Sequence, residues 1–579
     1  MNIAEIKNLS FSFPDEDILL NDLNFSLEKG KIIALLGASG VGKTTLLKHF
    51  VYKRKPYGQS KGTILFEDQD LKTMDPIDQV SKIAYVPQDP EEQIISESVW
   101  QELAFSLENL AIDPDTMRLR IAEISNFFGI QNWFFKKTYE LSGGQKQILN
   151  LATGLILKPD LLILDEADAS LDPVMKKSFM DLIKRLNREL GLTVFFTSPN
   201  WDTALEIADQ VLYLEGSELK EFTSARNFAK AYLSADKAYD FALASPTRAH
   251  FYLEPELATK DLALSVNAAN SVISKSLREH DKKHLETLDY EKLDRHKEED
   301  SIHDYVLEVK DLSFAYAKNT SDVLRNLNLK IKRNEIAFIL GGNASGKSTL
   351  LKCLSGALDY QGKIYWNALS NQDKSFFKRK NEIKLAYLPQ NARLLFSSES
   401  ILEDINKALA LLDEEEKTFV KELFDLEELS AYTLLERFGL KDKAHSFSAD
   451  LSGGELQRAA LILVLLNQPE VLLLDEPSNN LAVKDKLYLS RILKRLKDKG
   501  LSIIVVSHDL EFCAYTATEC LLLFQGEIAS QAEPHKFFNK NYFYTTDAAR
   551  LFKNFRPDAD KYSLITADEL LKSLEKTGL

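Results

Sequence analysis

Gly37-Ala38-Ser39-Gly40-Val41-Gly42-Lys43-Thr44 follows the apolar run Lys31-Ile-Ile-Ala-Leu-Leu36 and opens a helix-like segment. It fits the pattern GxxxxGK[ST] in the strand–turn–helix context that pattern requires. Glycines let backbone N–H groups wrap phosphate oxygens, the lysine reaches the β/γ oxygens, and the hydroxyl is available to Mg²⁺. Gly37, Ser39, Gly40, Gly42, Lys43, Thr44 and Thr45 are therefore candidate nucleotide-binding residues. The same pattern returns at 341–348, making Gly341, Asn343, Ser345, Gly346, Lys347, Ser348 and Thr349 their counterparts. Ala344 stands where the first copy has Gly40, which predicts a stiffer or slightly distorted second loop.

The repetition extends outward. Asn8-Leu-Ser-Phe-Ser-Phe13 matches Asp311-Leu-Ser-Phe-Ala-Tyr316, Tyr85-Val-Pro-Gln88 matches Tyr387-Leu-Pro-Gln390, and Leu161–Glu166 matches Val471–Glu476. The offset is 304 between Lys43 and Lys347 and 310 between Gly143 and Gly453. Two similar domains of over 200 residues follow, not a solenoid of short units. Alternating residues near each start (Ile3, Ile6, Leu9, then Phe11 and Phe13) read as β-strands. Short continuous apolar runs such as Leu161–Leu164 and Ile503–Val506 read as parallel strands buried on both faces. The stretches between Gln88 and Ser142, and between Gln390 and Ser452, read as helical inserts. The expected organisation is a first domain over 1–240, a charged linker over 241–304, a second domain over 305–540 and a tail over 541–579 with a helix at Ala567–Lys576. The linker region matches nothing in the repeat; residues 275–304 carry seven basic and ten acidic side chains, the composition of a solvated segment.

Two further constellations carry chemistry. Asp165-Glu166 and Asp475-Glu476 each end an apolar strand; the aspartate suits an Mg²⁺ shell and the glutamate can polarise a water attacking the γ-phosphate. Leu141-Ser142-Gly143-Gly144-Gln145 opens a helix-like run over Ile148–Leu157 and recurs as Leu451-Ser452-Gly453-Gly454-Glu455. Backbone N–H groups at a helix N-terminus suit a phosphate. The carboxylate of Glu455 beside a polyphosphate is electrostatically unhelpful.

Composition bounds the partners. The chain has 579 residues, is 45% apolar and carries a net charge of −15, which argues against direct nucleic-acid binding as its main business. Cys353, Cys513 and Cys520 lack metal-ligand spacing and read as buried or inert thiols. The N-terminus does not read as a signal peptide, and no apolar run approaches the ~18–20 residues needed to span a bilayer. Work at a membrane would need other chains to supply the pore.

With these motifs in place, the chain resembles a pair of fused ATP-binding-cassette (ABC) ATPase domains. The resemblance covers about four-fifths of the chain. It implies an α/β fold of tandem P-loop NTPase domains, each with a RecA-like core, an antiparallel β subdomain and a helical subdomain. It implies that Gln88 and Gln390 are the Q-loop glutamines, with a share in the metal site beside Thr44, Ser348, Asp165 and Asp475, and that Phe13 and Tyr316 stack on adenine. It also implies intramolecular head-to-tail pairing, each ATP lying between one half's phosphate loop and the other half's signature stretch. Under that rule one site gathers Lys347, Ser348, Gln390, Asp475, Glu476 and His508 with Ser142, Gly143, Gly144, Gln145 and Asp172. The other gathers Lys43, Thr44, Gln88, Asp165 and Glu166 with Ser452, Gly453, Gly454, Glu455 and Ala482, and has Pro199 where a histidine is expected. One complete and one degenerate site are expected.

The run Gln88-Asp-Pro-Glu-Glu-Gln-Ile94, followed by Val99-Trp-Gln-Glu-Leu-Ala-Phe105 and Glu108-Asn-Leu110, resembles the ATPases of energy-coupling-factor (ECF) importers. That resemblance implies a subunit at the cytoplasmic face of the cell membrane, docked on a transmembrane T component that works with a substrate-binding S component. Cargo of such importers includes vitamins, vitamin precursors and cobalt or nickel ions. The alternative is a tandem cassette acting on the ribosome in translation; it favours a long basic linker, whereas the linker here is net acidic. A chromosome-maintenance or excision-repair ATPase would need a long coiled coil or zinc cysteines.

Overall fold

The computed structural model describes residues 1–15, 17–51, 53–169, 171–233, 247–248, 262–271, 305–317, 322–366, 383–479, 481, 483–555 and 564–576. It divides into two compact units, Met1–Ala269 and Asn270–Leu579.

In the first unit an antiparallel sheet is built from β1 (Asn2–Ser12), β2 (Ile18–Glu28), β4 (Gln59–Phe66) and β5 (Gln69–Asp70), in the order β2-β1-β4-β5. The main sheet runs β10-β9-β3-β8-β7-β6, from β3 (Ile32–Gly37), β6 (Ile83–Val86), β7 (Leu161–Asp165), β8 (Thr193–Thr197), β9 (Gln210–Glu215) and β10 (Glu218–Phe222). All its pairings are parallel except the β9–β10 hairpin. Every residue of β3, β7 and β8 is buried, as continuous apolar runs between two covered faces require.

The second unit repeats the plan. β11 (Tyr305–Phe314), β12 (Leu324–Lys332) and β14 (Gln361–Trp366) form the antiparallel sheet. β13 (Ile336–Leu340), β15 (Leu385–Leu388), β16 (Val471–Asp475), β17 (Ser502–Val506), β18 (Glu519–Phe524) and β19 (Glu527–Ala532) form the main sheet, with the same neighbours in the same order. Even a bulge is duplicated: Asn8 and Asp311 take φ of 51° and 52°, and the register shifts there. A Cβ on Gly62 or Gly362 would lie 2.4 Å from the carbonyl oxygen of Asn8 or Asp311, so both positions need glycine.

Each unit carries a helical subdomain between its Q-loop and signature stretch. In the first it comprises Val99–Asn109 and Pro114–Phe128 around a small core including Val99, Leu103, Leu107, Ile130 and Leu149. In the second the matching stretch is broken at Asp425, which caps Glu414–Phe424 in the left-handed conformation before a further helix, Ala431–Arg437.

Two segments expected to lie outside the domains pack onto them. Leu262 joins the first unit's core, and a short helix over 266–271 follows Ser265, whose Oγ accepts from Ala268 N–H. The tail of the second unit forms helices Asp547–Phe555 and Ala567–Lys576; Ala549 and Ile565 enter its core, and Thr566 Oγ1 accepts from Glu569 N–H. The same Ser/Thr-capped helix thus closes both units, although residues 240–304 showed no repeat in sequence. A hydroxyl and a few apolar contacts suffice for such a helix, and they leave little identity to detect. Most of the charged linker lies outside the described residues.

Candidate active site

Each phosphate loop joins a buried strand to a short helix, Lys43–Lys48 or Lys347–Leu354, whose N-cap glycine (Gly42, Gly346) sits at φ 102°. Lys43 Nζ donates to the carbonyls of Gly37 and Ala38 at 3.2 and 2.9 Å; Lys347 Nζ donates to Gly341 and Gly342 at 3.0 and 3.0 Å. Ala344 adopts φ 61° where Gly40 adopts 78°, so the second loop keeps the glycine conformation with an alanine in it. That costs on the order of 1 kcal/mol in backbone strain. Ser345 Oγ is buried with no hydrogen-bond partner among the described residues, a donor that a bound phosphate would satisfy.

The aromatics expected at adenine take matched positions. Phe13 packs edge-on to Phe11 with centroids 5.0 Å apart, and Tyr316 edge-on to Phe314 at 4.9 Å. Tyr316 is 61% exposed, leaving a face open for stacking, and its hydroxyl lies 3.0 Å from Thr349 Oγ1 on the phosphate-loop helix.

At the ends of β7 and β16 the aspartates face the loop hydroxyls. Thr44 Oγ1 donates to Asp165 Oδ1 at 2.9 Å and Ser348 Oγ to Asp475 Oδ1 at 2.8 Å. These paired hard oxygens fit Mg²⁺. Gln88 and Gln390 differ in setting: Gln88 Nε2 donates to Glu166 Oε2 at 3.2 Å, whereas Gln390 is exposed.

The glutamates are where the two sites part. Both sit in the left-handed region, Glu166 at φ 47° and Glu476 at φ 50°, strain that marks a functional position. Glu476 Oε2 lies 2.9 Å from His508 Nδ1 and accepts the His508 N–H at 3.2 Å, with Lys347 Nζ 3.9 Å from Oε1. Burial works against its ionisation, but His508 and Lys347 more than offset it and hold the carboxyl below the ordinary range. Glu166 has Lys43 Nζ at 3.7 Å but no histidine. Burial pushes it up, Lys43 opposes, and the nearby Asp165 and Asp168 carboxylates add to the rise.

Asp168 was not foreseen. It replaces Ser478 of the second unit and is itself buried, with the Ser198 hydroxyl donating to Oδ2 at 2.8 Å. The aligned difference at 168 and 478, within the repeat already recognised, was the available signal. The support of the histidine segment changes with it. Asp509, salt-bridged to Lys486 at 2.6 Å, caps the helix Leu510–Thr516 by accepting from Phe512 N–H. Asn200 at the matching place makes no side-chain cap, and Pro199 has neither imidazole nor N–H.

The signature stretches open helices earlier than expected, at Gly143–Leu155 and Gly453–Leu465, because Ser142 and Ser452 are N-caps within capping boxes. In the first, Gln145 Oε1 accepts from Ser142 N–H at 3.0 Å. In the second, Glu455 Oε2 takes both the N–H and the hydroxyl of Ser452, each at 2.8 Å. The carboxylate is thus turned onto its own cap, where its charge offsets the positive end of the helix. Asp172 Oδ1 caps the helix Pro173–Leu190. Ala482, its counterpart in the expected pairing, lies outside the described residues.

The first helical subdomain carries a groove of about 870 Å³ lined by Trp100, Ala104, Met117, Ile121, Phe134 and Phe135 among others. Trp100 and Phe135 are 41% and 82% exposed. Among the described residues no helix is long and apolar enough to cross a membrane. All three cysteines are buried and unbridged, and burial pushes the Cys353 thiol up to about 11.

The chain is similar to known proteins in sequence and in fold. The family model described as ABC transporter matches residues 20–169 and 324–479, and an AAA-domain model matches 134–206. Similar proteins bearing the name ABC transporter ATP-binding protein include one from Bacillus thuringiensis, 32% identical over 571 residues and covering 96% of each chain. Another, from Methanosarcina acetivorans, is 28% identical over 543 residues, covering 93% of this chain and 92% of its own. Among solved structures, an archaeal ribosome recycling factor bound to a stalk protein superposes with a TM-score of 0.54 at 19% identity, covering 93% of this chain and 91% of that one. That likeness is one of fold.

Proposed function

Since the chain belongs to the ABC transporter family as a tandem ATP-binding protein that hydrolyses ATP, we propose that it energises a membrane importer of the ECF kind from the cytoplasmic face of the membrane. The observation that carries this reading is the exposed apolar groove of the first helical subdomain. Exposed tryptophan and phenylalanine lining a concave surface suit an apolar helix from another chain. The groove adjoins the segment whose sequence resembles ECF ATPases. The partners would be a transmembrane T component and a substrate-binding S component, carrying a vitamin, a vitamin precursor or a transition-metal ion.

In this reading the two units close head to tail. Thr44, Asp165 and Gln88, and likewise Ser348, Asp475 and Gln390, would hold Mg²⁺, which when bound neutralises phosphate charge. Phe13 and Tyr316 stack on adenine, while the phosphate-loop amides and Lys43 or Lys347 bind the phosphates. Glu476, kept ionised and aimed by His508, takes a proton from the attacking water. Glu166 has no histidine to aim it, and its carboxyl protonates more readily and so is less often in the ionised form a base needs, so the first phosphate loop chiefly retains its nucleotide. ATP holds the units together, hydrolysis releases them, and the helical subdomains pass that motion to the membrane partner.

Co-purification from detergent extracts tests the partner. The wild-type chain should bring down a small integral membrane protein, and Phe135→Glu should lose it while keeping ATPase activity. Recovery of ribosomal RNA in its place would favour the translation alternative and overturn the proposal.

A further inference from the structure

Tyr85-Val-Pro-Gln88 and Tyr387-Leu-Pro-Gln390 mark the repeat in sequence, and neither tyrosine had a role there. In the sheets, Tyr85 of β6 lies opposite Ile163 of β7, and Tyr387 of β15 opposite Leu473 of β16. Each phenol therefore starts two residues short of the strand-end aspartate and reaches forward to it. Tyr85 Oη donates to Asp165 Oδ2 at 2.9 Å, and Tyr387 Oη donates to Asp475 Oδ2 at 3.1 Å. The opposite oxygen of each carboxylate is engaged by Thr44 or Ser348, and Thr197 Oγ1 also donates to Asp165 Oδ1 at 3.2 Å.

A carboxylate turns readily about its last bond unless both oxygens are held. We infer that Tyr85 and Tyr387 are positioning residues of the ATPase reaction, each locking its aspartate so that Oδ1 stays turned to the phosphate-loop hydroxyl with which it would hold the metal of a metal–nucleotide. Hydrogen-bonded partners of ligating carboxylates commonly set metal affinity in this way.

Two features separate this from ordinary packing. The phenol and loop-hydroxyl bonds are the same in both units, although other surroundings differ: Thr197 against Val506, His508 against Pro199, Ser478 against Asp168. What the two sites share is nucleotide and metal holding, and what they do not share is the base. The tyrosine thus goes with the shared task. Each phenol also lies three residues before the Q-loop glutamine, so the strand that fixes the aspartate runs directly into Gln88 or Gln390. Displacement of the Q-loop would pull on the aspartate through one short stretch of chain. Tyr85 is further held by the Arg54 guanidinium, 5.2 Å from its ring centroid.

The inference rests on the proposed assignment of Asp165 and Asp475 to the metal, and the test separates the two. Mn²⁺ is titrated by electron paramagnetic resonance into the full chain saturated with a non-hydrolysable ATP analogue, and affinity for the analogue is measured separately in EDTA. Tyr85→Phe with Tyr387→Phe keeps both rings and should weaken Mn²⁺ about tenfold or more, with the EDTA affinity unchanged; either single change should shift one class of sites. Unchanged Mn²⁺ affinity, or a parallel loss of both affinities that makes the rings packing groups only, would overturn the inference. Asp165→Asn with Asp475→Asn should weaken Mn²⁺ at least as much; if it does not, the metal assignment itself fails, whatever the tyrosine variants show.

Discussion

The two glutamates set the character of the two sites. Glu476 and Glu166 share a strained backbone and a lysine neighbour, yet His508 holds one carboxyl down while burial, with Asp165 and Asp168 beside it, pushes the other up. A base with a raised pKa is protonated, and idle, at pH values where an ordinary carboxyl, at 4.5, is already ionised. Turnover remaining in a Glu476→Gln variant would come from the first phosphate loop and should climb over the pH window just above the ordinary carboxyl range. The wild-type rate, governed by a carboxyl that is ionised throughout, should stay nearly level over that window. Stopped-flow phosphate release across the pH series checks this, and a level profile in the variant would remove Glu166 as the explanation.

At the scale of elements, the signature helices are unequal in how they are held. Lys146 is ion-paired with Glu91, Gln147 Nε2 donates to Pro87 O at 3.4 Å and Asn150 Nδ2 to Pro90 O at 2.9 Å, tying the first helix to its own Q-loop. The second helix is tied instead to Val483–Asp498, through Arg458 and Asp485 at 2.7 Å. With Glu455 turned onto the second cap, the first helix presents the better anion site. Gly143→Asp should lower steady-state ATPase more than Gly453→Asp does; a Cβ at Gly143 meets nothing within 4 Å, so the change is not a steric one within its unit. The reverse ranking would contradict the pairing of Ser142 with the ATP on Lys347.

Much of this level was legible in the sequence, because glycine spacing, strand-end acids and buried apolar runs each have a local cause. The phosphate loops and the order of the strands around them could be read directly. Three things could not. The Tyr85 and Tyr387 bonds depend on register between strands distant in sequence. Glu455 was expected to set a carboxylate beside the polyphosphate, and its turn onto Ser452 appears only once the helix is seen to begin at Gly453. The helix at 266–271, and the packing of the expected helix Ala567–Lys576 and its flanks onto the second unit, rest on a few apolar contacts that composition alone presents as linker and tail.

Taken whole, the chain is a duplicated ATPase whose copies share the residues proposed to hold nucleotide and differ in those proposed to cut it. Both retain loop lysine, loop hydroxyl, aspartate and phenol. Only the second retains a histidine on its glutamate. In the proposed cycle one site then turns over and the other acts as a standing clasp, so each closure of the pair is reset by a single hydrolysis. Steady-state ATPase of Glu476→Gln set against Glu166→Gln, in the full chain, tests this most directly. The account predicts a loss of about 10²-fold or more for Glu476→Gln and less than about threefold for Glu166→Gln, in line with the usual contribution of a positioned base. Equal losses from the two substitutions would contradict it.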